Sequence, residues 1–141
     1  MPGKNILIAD DEDHILLGLK FILKEKGYRV TPTNNGMEAL RKILEFQRNN
    51  ETVDLLLTDF RMPKLNGLEL LDRLNDECLS VPVICMTGFG DKNLFYELKI
   101  RGCTEYLQKP FTMEEALKKV EKVLTRHKTL FEYGWIIHDM I

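Results

Sequence analysis

Residues 53–58 read Val-Asp-Leu-Leu-Leu-Thr and are followed directly by Asp59. A short apolar run of this kind is typical of a strand that is buried on both faces of a parallel sheet. Four comparable runs are spaced along the rest of the chain, at 4–9, 28–33, 81–86 and 104–107. The sequence therefore predicts five strands, of which 53–58 is the third.

Helical patterns fill the intervals between these runs. Apolar residues recur there at spacings of three and four, which marks one face of a helix, and the first pattern ends at Gly27, a residue typical of helix C-termini. The apolar positions of the five predicted helices are Ile15, Leu16, Leu19, Ile22 and Leu23; Leu40, Ile43 and Leu44; Leu68, Leu71 and Leu74; Leu94, Phe95 and Leu98; and Met113, Ala116, Leu117, Val120, Val123 and Leu124. Strict alternation of strand and helix predicts an α/β fold, (βα)₅, with a parallel sheet and helices on both faces.

The polarity of the strands predicts their order. The first, third and fourth runs are nearly continuous in apolar residues, whereas the second and fifth are more polar. Central strands are buried on both faces, so the more polar runs are expected at the edges. The order 2-1-3-4-5 satisfies this condition and is the order of flavodoxin-like, doubly wound sheets.

Composition limits the class of protein. The 141 residues fit one domain, and 44% apolar with 30% charged residues is typical of a globular protein. No stretch approaches the roughly 18 apolar residues of a membrane helix, and the first strand begins too early for a signal peptide, which predicts a cytoplasmic protein with no membrane partner. A net charge of −2 predicts no direct binding to nucleic acid. The three scattered cysteines are expected to be free thiols.

Polar side chains follow four of the predicted strands. Asp10 and Asp11 come after the first, Asp59 after the third, Thr87 after the fourth and Lys109 after the fifth. Because ligands of open α/β sheets bind beyond the carboxyl ends of the strands, these groups are expected to meet there. Crowded carboxylates repel each other unless a cation joins them, and oxygen ligands suit Mg²⁺. A carboxylate facing a phosphorus atom in line can act as a nucleophile, while the ammonium binds a phosphoryl oxygen.

These residues stand in motifs that resemble those of response regulator receiver domains from bacterial two-component systems. The similarity covers about residues 4–126, with the motifs in order and at the expected strand ends. They are the acidic pair in Asp10-Asp11-Glu12, the phosphoacceptor loop Asp59-Phe60-Arg61-Met62-Pro63 with Asn66-Gly67, the switch hydroxyl in Met86-Thr87-Gly88, and the segment Tyr106-Leu107-Gln108-Lys109-Pro110-Phe111.

The resemblance implies a metal-dependent phosphoacceptor. By this resemblance, Asp59 takes the phosphoryl group, and Mg²⁺ (or Mn²⁺) is held by Asp11, Asp59 and the backbone carbonyl of Arg61. Asp10 assists the metal through water. The implied protein is a signalling phosphoacceptor that catalyses only its own phosphorylation and dephosphorylation, and not an enzyme acting on separate substrates.

The resemblance also implies a switch. Thr87 donates a hydrogen bond to the phosphoryl group, Lys109 pairs with it, and Tyr106 turns inward when Thr87 moves. The Lys109–Pro110 bond is expected to be cis. The implied donor is a sensor histidine kinase, and phosphorylation changes the surface formed by the fourth helix, fifth strand and fifth helix for an unknown downstream effector protein or domain. Homodimer formation is a further possibility.

Residues 1–127 are predicted to form the receiver domain, and residues 128–141 a C-terminal extension or linker. This tail is more apolar than an exposed segment should be. Its apolar residues are Leu130, Phe131, Tyr133, Trp135, Ile136, Ile137, Met140 and Ile141. Two interpretations stay open: an extension that packs on the domain or on a neighbouring copy, and a linker or interaction segment.

Each singled-out residue also has a simpler structural explanation. Asp10 and Asp11 are suited to capping the first helix, and Asp59 to opening a turn. Thr87 is suited to a turn before a glycine, and Lys109 to a solvated surface. The convergence of all five at one edge of the sheet favours the functional interpretation.

Three other functions are compatible with an α/β sheet of this kind. A phosphatase of the haloacid dehalogenase class needs a second aspartate two residues after the first, where this chain has Arg61. A flavodoxin-like cofactor binder needs a small, hydroxyl-rich loop after the first strand, where residues 10–13 are all acidic and repel phosphate. A receiver-fold module that signals without phosphorylation stays open.

Overall fold

The computed structural model describes residues 3–88 and 92–125, apart from the side chain of Lys92. Five parallel strands form one sheet in the order β2-β1-β3-β4-β5, as predicted. The strands are β1 (Asn5–Ala9), β2 (Arg29–Thr33), β3 (Leu55–Asp59), β4 (Val83–Thr87) and β5 (Glu105–Gln108). The predicted domain boundary between residues 127 and 128 lies outside the described residues.

Five helices cover the two faces of this sheet, which confirms the (βα)₅ prediction. They are α1 (Asp13–Glu25), α2 (Gly36–Arg48), α3 (Gly67–Asp76), α4 (Lys92–Ile100) and α5 (113–125). Buried side chains of α1 and α5 pack on one face, and those of α2, α3 and α4 on the other. No helix in the described ranges combines the length and the apolar character that a membrane span requires.

The strand bounds differ from the apolar runs by one or two residues. Val53 is buried, but the hydrogen-bonded ladder with β1 begins only at Leu55, so β3 starts there and includes Asp59. Apolar residues indicate burial, whereas the ends of a strand are set by its backbone hydrogen bonds to neighbouring strands. The bounds of an apolar run and of a strand therefore need not coincide. Gly27 has φ +91° at the end of α1, in agreement with its predicted role.

The register of the sheet brings the carboxyl ends of the strands level with one another. Ala9 of β1 pairs with Thr58 of β3, so Asp10 and Asp59 follow at the same height. Thr87 of β4 pairs with Gln108 of β5, immediately before Lys109. One edge of the sheet therefore presents Asp10, Asp59, Thr87 and Lys109, whereas Tyr106 lies within β5.

The loop after β3 is fixed by the start of α3. Asn66 and Glu69 form a reciprocal capping box, with side-chain to backbone bonds of 2.9 and 3.1 Å. The Gly67 amide donates to the Phe60 carbonyl at 2.8 Å, and a Cβ at Gly67 would lie 3.1 Å from Phe60 Cα. The close approach of these two backbones favours glycine and holds the chain that follows Asp59.

Candidate functional site

Three carboxylates form a compact cluster beyond β1 and β3. Ligand oxygens of Asp10, Asp11 and Asp59 all lie within 4.8 Å of one another. Asp10 is fully buried, Asp59 is 7% exposed and Asp11 is exposed, so the cluster reaches from the core to the solvent. The predicted convergence of the first and third strand ends is present in the structure.

Lys109 brings a positive charge into this cluster. Its Nζ lies 3.0 Å from Asp10 Oδ2, 3.3 Å from Asp59 Oδ2 and 3.5 Å from Glu12 Oε1. Its backbone N–H donates to the Thr87 carbonyl at 2.6 Å, which holds the residue at the end of the sheet. The Lys109–Pro110 peptide is cis, as expected.

Burial and crowding raise the pKa values of the inner carboxyls. The pKa of Asp59 rises to about 6, first because the group is buried and then because Asp10 and Asp11 are negative, while Lys109 acts in the opposite direction. Burial also raises the pKa of Asp10, although the Glu12 amide donates to its Oδ1 at 2.9 Å and Lys109 lies close by. The cluster therefore resists full ionisation when no cation is added to it.

The charge of Lys109 is retained by the same contacts. Burial on its own lowers the pKa of this ammonium, but Asp10, Asp59 and Glu12 outweigh that effect, and the pKa is raised. One ammonium cannot balance the carboxylates around it. An oxygen-only ligand set with excess negative charge suits a hard divalent cation such as Mg²⁺.

The cluster opens into a surface cavity of about 760 Å³. Asp11, Asp59, Lys109 and the predicted metal ligand Arg61 all line it, and α4 forms one wall through residues that include Glu97. A small anionic group therefore has access to the Asp59 carboxylate from solvent. The structure brings these four predicted residues to one cavity.

Thr87 lies at the end of β4 with its hydroxyl buried. Its side chain is 1% exposed, and Oγ1 has no hydrogen-bond partner among the described residues. Most buried polar atoms in proteins are paired, so an unpaired hydroxyl calls for an explanation. A group that binds only transiently at the neighbouring cavity provides one.

The unpaired hydroxyl leads to a stability prediction for Thr87→Val. We expect the free energy of unfolding to stay within about 1 kcal/mol of the wild-type value, because no hydrogen bond is lost. The control is Thr33→Val: Thr33 is also buried, but its Oγ1 donates to the Ile8 carbonyl at 2.8 Å. The control should lose more than about 1 kcal/mol, since a buried carbonyl loses its donor. Urea unfolding followed by circular dichroism measures both, and an equal loss in the two variants would contradict the prediction.

Tyr106 is half-buried on β5 and contacts α4. Its hydroxyl donates to the Phe95 carbonyl at 2.9 Å, and the two rings meet edge to face at 4.9 Å between centroids. Tyr106, Phe95 and Thr87 line a second cavity, of about 660 Å³. The two predicted switch residues thus share a cavity, and no hydrogen bond joins them in the described structure.

Two contacts of the site were not predicted. Glu12 pairs with Lys109, and its place next to Asp11 in the acidic run was a signal that sequence reasoning left unused. Phe95 was predicted only as part of a helical face, and nothing in the sequence marks it as the partner of Tyr106. That contact depends on how α4 packs beside β5.

Comparison with known proteins agrees with this geometry. The family model of the response regulator receiver domain matches residues 6–121. Sporulation initiation phosphotransferase F of Bacillus subtilis (strain 168) is 32% identical, over 88% of this chain and 96% of its own length. The crystal structure of a CheY-like receiver domain protein from Methanospirillum hungatei JF-1 has a TM-score of 0.80 and 30% identity, over 90% of this chain and 98% of that one.

Longer proteins are similar to this chain over only part of their length. The alkaline phosphatase synthesis transcriptional regulatory protein PhoP of Bacillus subtilis (strain 168) is 35% identical over 88% of this chain, which spans 50% of PhoP. The chain belongs to the response regulator receiver domain family of two-component signalling systems.

Proposed function

We propose that this receiver domain accepts a phosphoryl group on Asp59 from a sensor histidine kinase, with a divalent cation bound at the acidic cluster. The observation that carries this proposal is the cluster of Asp10, Asp11 and Asp59 around Lys109, in which all but the buried Asp10 line one open cavity. A structural role alone does not account for three carboxylates packed together, because their repulsion destabilises the fold.

In the proposed transfer an oxygen of the Asp59 carboxylate attacks the phosphorus atom. A new O–P bond forms, the P–N bond to the kinase histidine breaks, and its electron pair stays on the imidazole nitrogen. Lys109 Nζ, 3.3 Å from Asp59 Oδ2, donates to a phosphoryl oxygen and balances its charge. The pKa of Asp59 is about 6, so at a higher pH the carboxyl is already ionised and needs no general base. The protein contributes mainly position and charge.

The residues present fit the metal that the family implies. Asp11 and Asp59 would supply oxygen ligands with Asp10 beside them, and the Arg61 backbone carbonyl would add another, since Arg61 lines the same cavity. When bound, Mg²⁺ or Mn²⁺ neutralises charge on the phosphoryl oxygens.

The proposed output is a change at the surface of α4, β5 and α5. Thr87 has a free hydroxyl to donate to a phosphoryl oxygen, and a shift of Thr87 changes the cavity that it shares with Tyr106. A new side-chain position there biases the surface between two states. The unknown downstream effector, a homodimer, a cytoplasmic location and the absence of direct nucleic-acid or membrane binding stay predictions.

Incubation with acetyl phosphate tests the function. With Mg²⁺ present, intact-mass spectrometry should show one added phosphoryl group, and peptide mapping should locate it on the segment that contains Asp59. Hydroxylamine should remove it, since an acyl phosphate is cleaved and a phosphothreonine is not. EDTA should prevent the modification. A hydroxylamine-stable or metal-independent phosphoryl group would contradict the proposal.

A further inference from the structure

Helix α1 carries an apolar surface that faces solvent. Leu17 and Phe21, one turn apart, are 71% and 69% exposed, more than any other large apolar side chain in the described ranges. Together with Lys20 and Lys24 they border a shallow cavity of about 420 Å³. We call the surface formed by these four residues the α1 face.

The α1 face is not part of the hydrophobic core. The core side of the same helix is formed by Leu19 and Leu23, which are fully buried against the sheet. Two large apolar side chains side by side in water are unfavourable, because burial of their apolar surface lowers the free energy. A covering segment is therefore expected.

Helix α5 lies next to α1 and leads toward the end of the α1 face. Met113 Sδ would lie 3.1 Å from a Cβ at Gly18, so the start of α5 touches the middle of α1. Near the other end, Tyr28, three residues after α1 ends, packs in the same buried cluster as Val123 and Leu124 of α5. The last described turn of α5 is thus close to the end of α1.

Residues 126–141 continue from α5 and lie outside the described residues. Their sequence is strongly apolar for its length, with Leu130, Phe131, Tyr133, Trp135, Ile136, Ile137, Met140 and Ile141. We propose that this C-terminal segment packs on the α1 face and covers Leu17 and Phe21.

The distances allow this contact. Five residues of extended chain span about 17 Å. The four residues from Phe21 to the end of α1 at Glu25 span only about 6 Å along the helix axis. A segment that leaves α5 near Tyr28 can therefore place Leu130 or Phe131 beside Phe21.

Position in the fold favours the α1 face over the other exposed apolar surface. The other exposed apolar pair, Tyr96 and Ile100 on α4, belongs to a helix that packs on the opposite face of the sheet from α5. The α1 face is therefore the nearer apolar surface on the same side.

Trp135 reports on the proposal directly, because it is the only tryptophan in the chain. In the full-length wild type we expect blue-shifted emission and weak quenching by acrylamide. The double variant Leu17→Ser/Phe21→Ser should shift the emission to the red and raise the quenching toward that of N-acetyltryptophanamide. Both side chains are exposed, so the core stays intact, which far-ultraviolet circular dichroism verifies. The matched control Tyr96→Ser/Ile100→Ser should leave emission and quenching at the wild-type values.

Several results would overturn the proposal. If acrylamide quenches wild-type Trp135 as strongly as it quenches N-acetyltryptophanamide, nothing covers Trp135. Unchanged emission in the α1 variant, or a red shift in the α4 control, would place Trp135 elsewhere. Loss of the blue shift on dilution, together with dissociation of a dimer in sedimentation, would assign the α1 face to a second copy of the chain. The proposal is supported if Trp135 is protected from acrylamide in the monomer and the α1 variant abolishes that protection.

Discussion

Asp59→Asn is expected to abolish phosphoryl incorporation from acetyl phosphate in the presence of Mg²⁺. An amide is a far weaker nucleophile than a carboxylate, and asparagine occupies nearly the same volume, so the chemistry is lost while the fold is kept. Intact-mass spectrometry measures the loss. Asp76→Asn is the matched control, because Asp76 is exposed at the end of α3, away from the site, and should leave incorporation unchanged.

The same variant should make the metal-free protein more stable. Burial and the neighbouring carboxylates raise the pKa of Asp59 from 3.8 to about 6 on folding, so the ionised group disfavours the folded state. The destabilisation by the Asp59 carboxylate is absent when the pH is below the pKa of the unfolded state, and it is complete when the pH is above the pKa of the folded state. The difference corresponds to about 3 kcal/mol as an upper limit, and we expect a gain of ~1–2 kcal/mol at about pH 7.5 in EDTA, because Lys109 loses a charged partner.

Phosphoryl incorporation in Asp59→Asn at the wild-type level would show that another residue is the acceptor. A loss of stability in EDTA would show instead that the Asp59 carboxylate is a net stabilising partner of Lys109. The two measurements separate the chemical role of Asp59 from its electrostatic one. With Mg²⁺ added, the wild type should gain more stability than Asp59→Asn, because the variant lacks one anionic ligand.

The strand order and the location of the site were predictable because both follow from where apolar runs stop. Asp10 follows β1 directly and Asp59 is the last residue of β3, and in a parallel sheet such strand ends must lie at one edge. The two polar edge strands are likewise identified by composition. No contact beyond the sheet itself is needed for these predictions.

Distances within the site were not predictable from sequence. The closest carboxylate to Lys109 Nζ is that of the buried Asp10, at 3.0 Å, and Asp59 lies slightly farther, at 3.3 Å. Whether the Thr87 hydroxyl finds a partner, and which carbonyl Tyr106 binds, depends on the packing of side chains from separate elements. Periodicity places a residue on a face of a helix or strand, but it does not fix the neighbours of that residue.

Lys109→Met is expected to destabilise the metal-free protein strongly. Removing this ammonium leaves Asp10 and Asp59 buried without their cation, and loss of one partner of a buried ion pair typically costs about 3–5 kcal/mol. Lys109 is still partly accessible, so we expect ~3 kcal/mol at about pH 7.5, measured by urea unfolding in EDTA. Lys118→Met is the control, since Lys118 is exposed and has no ion pair among the described residues.

The pH dependence of this loss identifies its cause. The pKa of Lys109 is raised in the folded protein, so its stabilising effect is present at every pH below its unfolded pKa, provided that the carboxylates are ionised. The pKa values of Asp10 and Asp59 are already raised, and without Lys109 they should rise further. The cost of Lys109→Met is therefore complete above those folded pKa values and shrinks as the pH falls through them, because the carboxyls then become protonated in the folded protein. An equal loss of stability at about pH 5 and about pH 7.5 would mean that Lys109 stabilises the fold by packing of its methylene chain and not by its charge.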